Sequence, residues 1–264
     1  MKGERVILAA HRGDRVRHPE NTMAAFKAAL DFGADMIETD IRMTRDGELV
    51  LIHDRSTERT AGVNLNVDEL TLAECREINV GATFGEGRIE RIPTVRELLD
   101  LICDTGMLVN WEFKVYPSDF GDGVAFTVVD KLMSLISEYR MEERSMMNSF
   151  SVKTLDYIYK KWGKKFPIHG QGIGACSRAK DKAETPDEML FDWCCLYPSG
   201  GVKDKAALDF PENFKYCTER GIIPCICVRD ELEAYRRAID LGCRMFTSNN
   251  IYLADEILRK LGVR

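Results

Sequence analysis

Four histidines occur in the 264 residues, and three of them lie within the first 53. Two of these close short apolar runs beside a charged residue, as His11-Arg12 and His53-Asp54. Between them stands Glu38-Thr39-Asp40, and further along Glu112-Phe113-Lys114. Side chains alternate along an extended segment, so Glu38 and Asp40 share one face, as do Glu112 and Lys114. Their neighbours Ile37, Thr39, Ile41, Trp111 and Phe113 then point the other way. Charges turned into a protein interior are costly unless paired or bound to a metal. Three carboxylates are hard oxygen donors, a set that suits Mg²⁺ or Ca²⁺ better than zinc. Imidazole titrates near pH ~6.5, so His11 and His53 can divide base and acid roles at neutral pH. A divalent cation flanked by Arg12 and Lys114 attracts a phosphate and the charge developing on it. This chemistry is metal-assisted attack at phosphorus. The competing reading is an internal salt-bridge network in which Arg12 and Lys114 neutralise Glu38, Asp40 and Glu112.

To converge, these residues must sit at the ends of several strands. Apolar and β-branched runs predict strands near 5–10, 35–41, 107–112, 146–150, 166–170, 193–197, 222–228 and 244–247. Most are followed by a stretch of 3.6-residue periodicity. In the first helix Asn21 or Thr22 is the cap, Ala25, Phe26, Ala29 and Leu30 form the inner stripe, and Gly33 is the stop. Later helices are predicted near 124–138, 152–162, 211–220, 231–241 and 253–261. Eight strands with intervening helices predict an α/β fold, a (β/α)8 TIM barrel. An open doubly wound sheet would carry GxGxxG after its first strand, where this chain has His11-Arg12-Gly13-Asp14. The expected domain is a single barrel, 1–264, with an insertion at about 54–106 following the second strand and its hairpin.

That hairpin is signalled by Thr44-Arg45-Asp46-Gly47, followed by a second run at 48–53. If Asp46 and Gly47 are the two loop residues, paired positions sum to 93 and His53 faces Asp40. Glu38 then lies two residues further along the same face. The insertion holds helical patterns at 72–78 and 95–103 and a polar stretch at 81–91, and is expected to cover part of the barrel mouth.

A net charge of −6 argues against nucleic acid or an anionic membrane surface as the main partner. The apolar run ahead of His11 is too short for a signal peptide, and no stretch approaches ~18 consecutive apolar residues. Nine cysteines without CxxC read as reduced thiols, giving an expectation of a cytoplasmic protein. The closest are Cys194 with Cys195 and Cys225 with Cys227, the latter pair half of a metal site at most. No second pair has zinc spacing, so buried small hydrophobes is the preferred reading.

The chain resembles the glycerophosphodiester phosphodiesterase family in a series of ordered motifs. They begin with His11-Arg12-Gly13 and Pro19-Glu20-Asn21-Thr22, with Ala25-Phe26. Gly33-Ala34-Asp35, Glu38-Thr39-Asp40, Thr44, Asp46-Gly47 and His53-Asp54 follow. Arg59-Thr60, Asp68, Leu70-Thr71-Leu72, Ile92-Pro93-Thr94, Glu112, Lys114 and Ser149-Phe150 complete them, covering about the first 150 residues. The resemblance implies a TIM barrel that hydrolyses glycerophosphodiesters to sn-glycerol 3-phosphate and an alcohol. It implies His11 and His53 as the acid–base pair and Glu38, Asp40 and Glu112 as ligands of one divalent cation, Mg²⁺ or Ca²⁺. Arg12 and Lys114 would bind the phosphate. The implied partner is a small glycerophosphodiester, with no nucleic acid and no stable membrane insertion. The alternatives are a lysophospholipase D on the same barrel and a non-catalytic phosphodiester-binding barrel.

The C-terminal half departs from the family pattern. Where members often carry Trp-Thr-Val-Asn on the penultimate strand, this chain reads Ile226-Cys227-Val228-Arg229. The usual Thr-Asp-x-Pro near the last strand is Ser248-Asn249-Asn250-Ile251. His18, a loop histidine without a partner motif, is expected to face solvent. His169, near the end of a later strand, is a less favoured candidate for lining the mouth, and Glu20 is expected to stabilise the first loop and helix. The lysines around Trp162 are expected to complement a helix C-terminus rather than bind lipid.

Overall fold

The computed structural model describes residues 5–173, 181–197, 207–227 and 230–264. The chain runs β1 (Ile7–His11), α1 (Met23–Phe32), β2 (Met36–Met43), β3 (Leu49–Leu51), α2 (Glu58–Ala61), α3 (Leu72–Glu77), α4 (Val95–Ile102) and β4 (Leu108–Phe113). Next come α5 (Pro117–Phe120), α6 (Asp122–Glu138), β5 (Ser145–Ser149), α7 (Val152–Trp162) and β6 (Ile168–Gln171). The last third holds α8 (Asp187–Leu190), β7 (Trp193–Cys195), α9 (Pro211–Glu219), β8 (Ile223–Cys225), α10 (Leu232–Asp240), β9 (Met245–Ser248) and α11 (Ile251–Lys260). Among the described residues the parallel strands pair in the order β8-β7-β6-β5-β4-β2-β1-β9. Among the described residues one parallel bridge, Ile226 to Phe246, joins the two ends. The result is a nearly closed barrel of eight parallel strands with helices around it, as the alternating pattern predicts.

Strand periodicity divides the core in two. Ile7, Ala9, Met36, Met146, Trp193, Cys195, Cys225 and Met245 pack together inside the barrel. The alternate positions, among them Leu8, Ala10, Ile37, Trp111, Met147 and Phe246, join helix residues such as Phe26, Leu99 and Leu132 in the outer layer. Within the insertion, Val67, Cys75, Ile78, Val80 and Ile92 form a small core of their own against Val50 and Ile52. Its helix starts are well capped. Thr71 with Glu74, and Thr94 with Glu97, each make a reciprocal capping box.

The hairpin register differs from the expected one. Pairs Ile41–Leu51, Arg42–Val50 and Met43–Leu49 sum to 92, not 93. A two-residue type I′ loop needs positive φ at both Asp46 and Gly47, and only Gly47 has it, at 85°. The loop is instead the three residues Arg45, Asp46 and Gly47, closed by the Gly47 N–H donating to the Thr44 carbonyl at 2.9 Å. Asp46 accepts hydrogen bonds from the Thr44 hydroxyl and the Leu72 amide, which hold it in this form. The shift puts Ile52, not His53, across from Asp40, the Ile52 N–H donating to the Asp40 carbonyl at 3.0 Å. His53 follows the last pair and is anchored through its carbonyl, which accepts from Arg42 Nε at 2.9 Å.

Candidate active site

Parallel registration of β2 with β4 sets Asp40 beside Glu112 and Glu38 beside Asn110. The carboxylates of Glu38, Asp40 and Glu112 are all buried, with donor oxygens within 4.8 Å of one another. Lys114 donates to Glu112 and lies 3.2 Å from Asp40 Oδ1, while Arg12 Nε lies 3.1 Å from Asp40 Oδ2. The ion pairs of the salt-bridge reading therefore exist, but two cations face three carboxylates. Glu38 Oε1 has no hydrogen-bond partner. Burial, followed by repulsion from Asp40 and Glu112, pushes the Glu38 carboxyl well above the usual carboxylate range. Burial works the same way on Asp40, yet Lys114 and Arg12 overcome it and hold that group ionised. An orphaned buried oxygen, a surplus of negative charge and an all-oxygen donor set fit a hard divalent cation.

The loop after β1 is bent sharply to bring Arg12 here. Arg12 takes a left-handed φ of 62°, and Gly13 follows at 81°. A Cβ on Gly13 would meet the Ala25 carbonyl carbon at 2.7 Å, so only glycine fits beneath α1. Thr22 is the cap of that helix, its hydroxyl accepting from the Ala25 amide. Asn21 does something the sequence reading missed. From its own left-handed conformation it donates to Asp40 Oδ2 at 2.7 Å and accepts from the Thr39 hydroxyl at 2.8 Å. Glu20 also does more than support the loop, because it gathers three guanidinium groups. Arg12 and Arg59 donate to one oxygen at 2.8 and 2.6 Å, and Arg15 pairs with the other at 2.7 Å. Despite burial, these arginines, Arg59 foremost, hold Glu20 at about 2.

The histidines flank this centre with different partners. His53 Nδ1 lies 2.6 Å from Asp54 Oδ1, and Asp54 also accepts from Arg59 Nε at 2.6 Å. A carboxylate only accepts, so His53 Nδ1 carries the hydrogen and Nε2 is the free nitrogen. His11 Nδ1 lies 2.5 Å from Asn249 Oδ1, which also accepts from Arg15. Arg15 Nη1 also stands 3.4 Å from His11 Nδ1; with the oxygen of Asn249 turned to both, the short contact assigns the hydrogen to His11 Nδ1. Its Nε2 stands 3.8 Å from Glu38 Oε2. Burial, reinforced by Arg12, lowers His11 to about 4. Burial, joined by the charges of Lys114 and Arg12, also lowers His53, opposed by the charge of Asp40 and the hydrogen bond to Asp54. Asn249 was visible in the sequence only as part of a departure from the family pattern. Its place follows from β9 pairing with β1.

The opposite wall is built differently. His169 on β6 is 3% exposed, and burial alone lowers it to about 3. Its partners are Asn110 at 3.0 Å and the Cys225 thiol at 3.2 Å. Trp111 and Trp193 are both buried, so neither forms an exposed wall of the mouth. Val228 and Arg229 lie outside the described residues. Lys160, Lys161, Lys164 and Lys165 each pair with a carboxylate, in line with a structural role. Among the described residues no helix is long and apolar enough to cross a membrane.

Fold and site together define a TIM barrel whose polar centre is assembled at the C-terminal ends of its strands. The chain belongs to the glycerophosphoryl diester phosphodiesterase family, whose pattern matches residues 11–223. It is 41% identical over 161 residues to a glycerophosphodiester phosphodiesterase of Caldanaerobacter subterraneus subsp. tengcongensis. That match covers 59% of this chain and 63% of the relative, so it spans less than two thirds of the relative's length. In structure the chain is similar to a Silicibacter pomeroyi protein provisionally assigned to the same enzymes. The TM-score is 0.80 at 24% identity, covering 98% of this chain and 97% of that one. It is also similar to an Oleispira antarctica phosphodiesterase solved with the product sn-glycerol-3-phosphate. That TM-score is 0.76 at 18% identity, over 97% of each chain.

Proposed function

We propose that this protein, acting as one domain over 1–264, hydrolyses glycerophosphodiesters to sn-glycerol 3-phosphate and an alcohol. One observation carries the reading: three buried carboxylates stand between two imidazoles, each offering Nε2 but backed by different partners. Glu38, Asp40 and Glu112 would hold the cation, Mg²⁺ or Ca²⁺. Such an ion supplies Lewis-acid polarisation of the phosphate when bound. Arg12 and Lys114 add positive charge for the phosphate oxygens. His11, surrounded by the neutral Asn249 and the cations Arg12 and Arg15, stays unprotonated and takes the proton of the attacking hydroxyl at Nε2. His53 has an ionised carboxylate behind it, which stabilises an imidazolium, so it gives the proton to the leaving alcohol. The unpaired cysteines among the described residues, most of them buried, support a reducing compartment, and the cytoplasm is the compartment proposed for the reaction.

The test is alcohol release from glycerophosphocholine, -ethanolamine, -glycerol and -inositol, with and without EDTA. Hydrolysis of at least one, abolished by EDTA and restored by Mg²⁺ or Ca²⁺, is expected. No hydrolysis would leave a phosphodiester-binding barrel, and faster turnover of lysophosphatidylcholine would make it a lysophospholipase D. Activity indifferent to chelation would return Glu38, Asp40 and Glu112 to a salt-bridge role.

A further inference from the structure

Away from the carboxylates, β6, β7 and β8 bring together side chains that are far apart in sequence. His169, Cys195 and Cys225 are all buried, and one donor atom from each lies within 4.8 Å of the others. Cys195 and Cys225 are direct partners on adjacent parallel strands, and His169 reaches Cys225 Sγ at 3.2 Å through Nε2. A tetrahedral zinc, with Zn–S of ~2.3 Å and Zn–N of ~2.0 Å, places sulfur and nitrogen about 3.5 Å apart. The His169–Cys225 edge therefore needs a shift of only a few tenths of an ångström. A third thiol, that of Cys227, lies two residues beyond Cys225 but outside this cluster.

We infer that His169, Cys195 and Cys225 form a zinc site in the wall of the barrel. Cysteine packing alone does not account for the imidazole, which among the described residues has Asn110 and Cys225 as partners and no acidic one. A second observation comes from Asn110. Its Nδ2 lies against His169 Nδ1 while its Oδ1, fully buried, has no partner. The two ends of a carboxamide have the same shape, so rotating Asn110 by half a turn costs no space. The oxygen then accepts from His169 Nδ1–H and frees the Nε2 lone pair for the metal, the usual support for a ligating histidine. Charge also balances: two thiolates neutralise Zn²⁺ in an interior shared with Trp193, Met146 and Met245. The donor set is soft and nitrogen–sulfur, unlike the oxygen set on β2 and β4, so the two sites select different ions. The ion would tie β6, β7 and β8 together beside the bridge that closes the barrel.

The experiment loads the intact, reduced protein with Co²⁺ and separately with Zn²⁺, then measures bound metal after dialysis. Cobalt is expected to give a near-ultraviolet thiolate-to-metal band, which an oxygen-only site does not produce. One zinc per chain is expected to be retained in Asp40→Asn and lost in Cys225→Ala. Zinc at a hundredfold excess over Kd is expected to raise Tm by roughly 5–10 °C in the wild type and in Asp40→Asn. Absence of the thiolate band in the wild type overturns the inference without recourse to any variant. Retention of zinc by Cys225→Ala, or a Cys195–Cys225 disulfide in the freshly purified protein, overturns it as well.

Discussion

The two sides of this barrel solve the burial of polar groups in opposite ways. On one side β2 is eight residues long and pairs with β4 through six consecutive residues. It turns two carboxylates inward, Asp40 held ionised by Lys114, Arg12 and Asn21 while Glu38 keeps one buried oxygen without a partner. On the other side β7 and β8 have three residues each, and their inward groups are thiols facing an imidazole. A buried charge is tolerated only where partners are fixed at hydrogen-bond distance, and a long, densely paired strand fixes them. Neutral thiols ask less of the backbone, and short strands suffice. The proposed acid–base pair flanks the charged side, and the departures from the family pattern reach both walls, Ile226-Cys227 beyond β8 and Asn249 behind His11.

The largest expected contrast is catalytic. His11→Ala and His53→Ala should each lower kcat by about 10²–10⁴-fold, while Cys225→Ala without added zinc stays near wild type. Glycerophosphocholine turnover checks this, and an equal loss in Cys225→Ala would erase the division between the walls. Next come two glycines, one on each side. Gly13→Ala combines a φ of 81° with overlap onto the Ala25 backbone and should destabilise by more than ~3 kcal/mol. Gly170→Ala, whose Cβ would sit 2.6 Å from the Phe191 ring, should cost about 1–3 kcal/mol, because a side chain gives way more readily than a helix backbone. Urea denaturation of both variants gives the order, and its reversal would mean the C-terminal wall is the stiffer one.

The smallest effect concerns Glu20, where Glu20→Gln should cost about 1.5 kcal/mol at neutral pH. Its folded pKa of about 2 lies below the ordinary 4.5, so its contribution is complete above pH 4.5 and is lost as pH falls toward 2. The wild-type advantage over Glu20→Gln in urea midpoints should therefore shrink across that window. A constant gap would remove the three-arginine cluster from the stability of this side.

Much of the charged side was legible in advance because its determinants are local. Alternation in Glu38-Thr39-Asp40 and Glu112-Phe113-Lys114 sets which groups turn inward, whatever surrounds them. The hairpin shows the limit. Asp-Gly signals a turn in either loop type, and the choice between two and three residues lay with Asp46 being held by Thr44 and by Leu72 of the insertion. The role of Asn21 was hidden because an asparagine before a helix is also a good cap, and only the proximity of Asp40 distinguishes the two.

By itself the sequence determined the eight strands, the inward set of carboxylates and the pair of histidines, through periodicity and turn chemistry that act over a few residues. The partner behind His53 is its own neighbour Asp54, but tertiary structure alone decided which partner stands behind His11. Asn249 reaches His11 because β9 pairs with β1, 238 positions away in the chain. It also decided that His169, Cys195 and Cys225 meet, since barrel curvature folds three separate strands onto one point and no spacing rule encodes that contact.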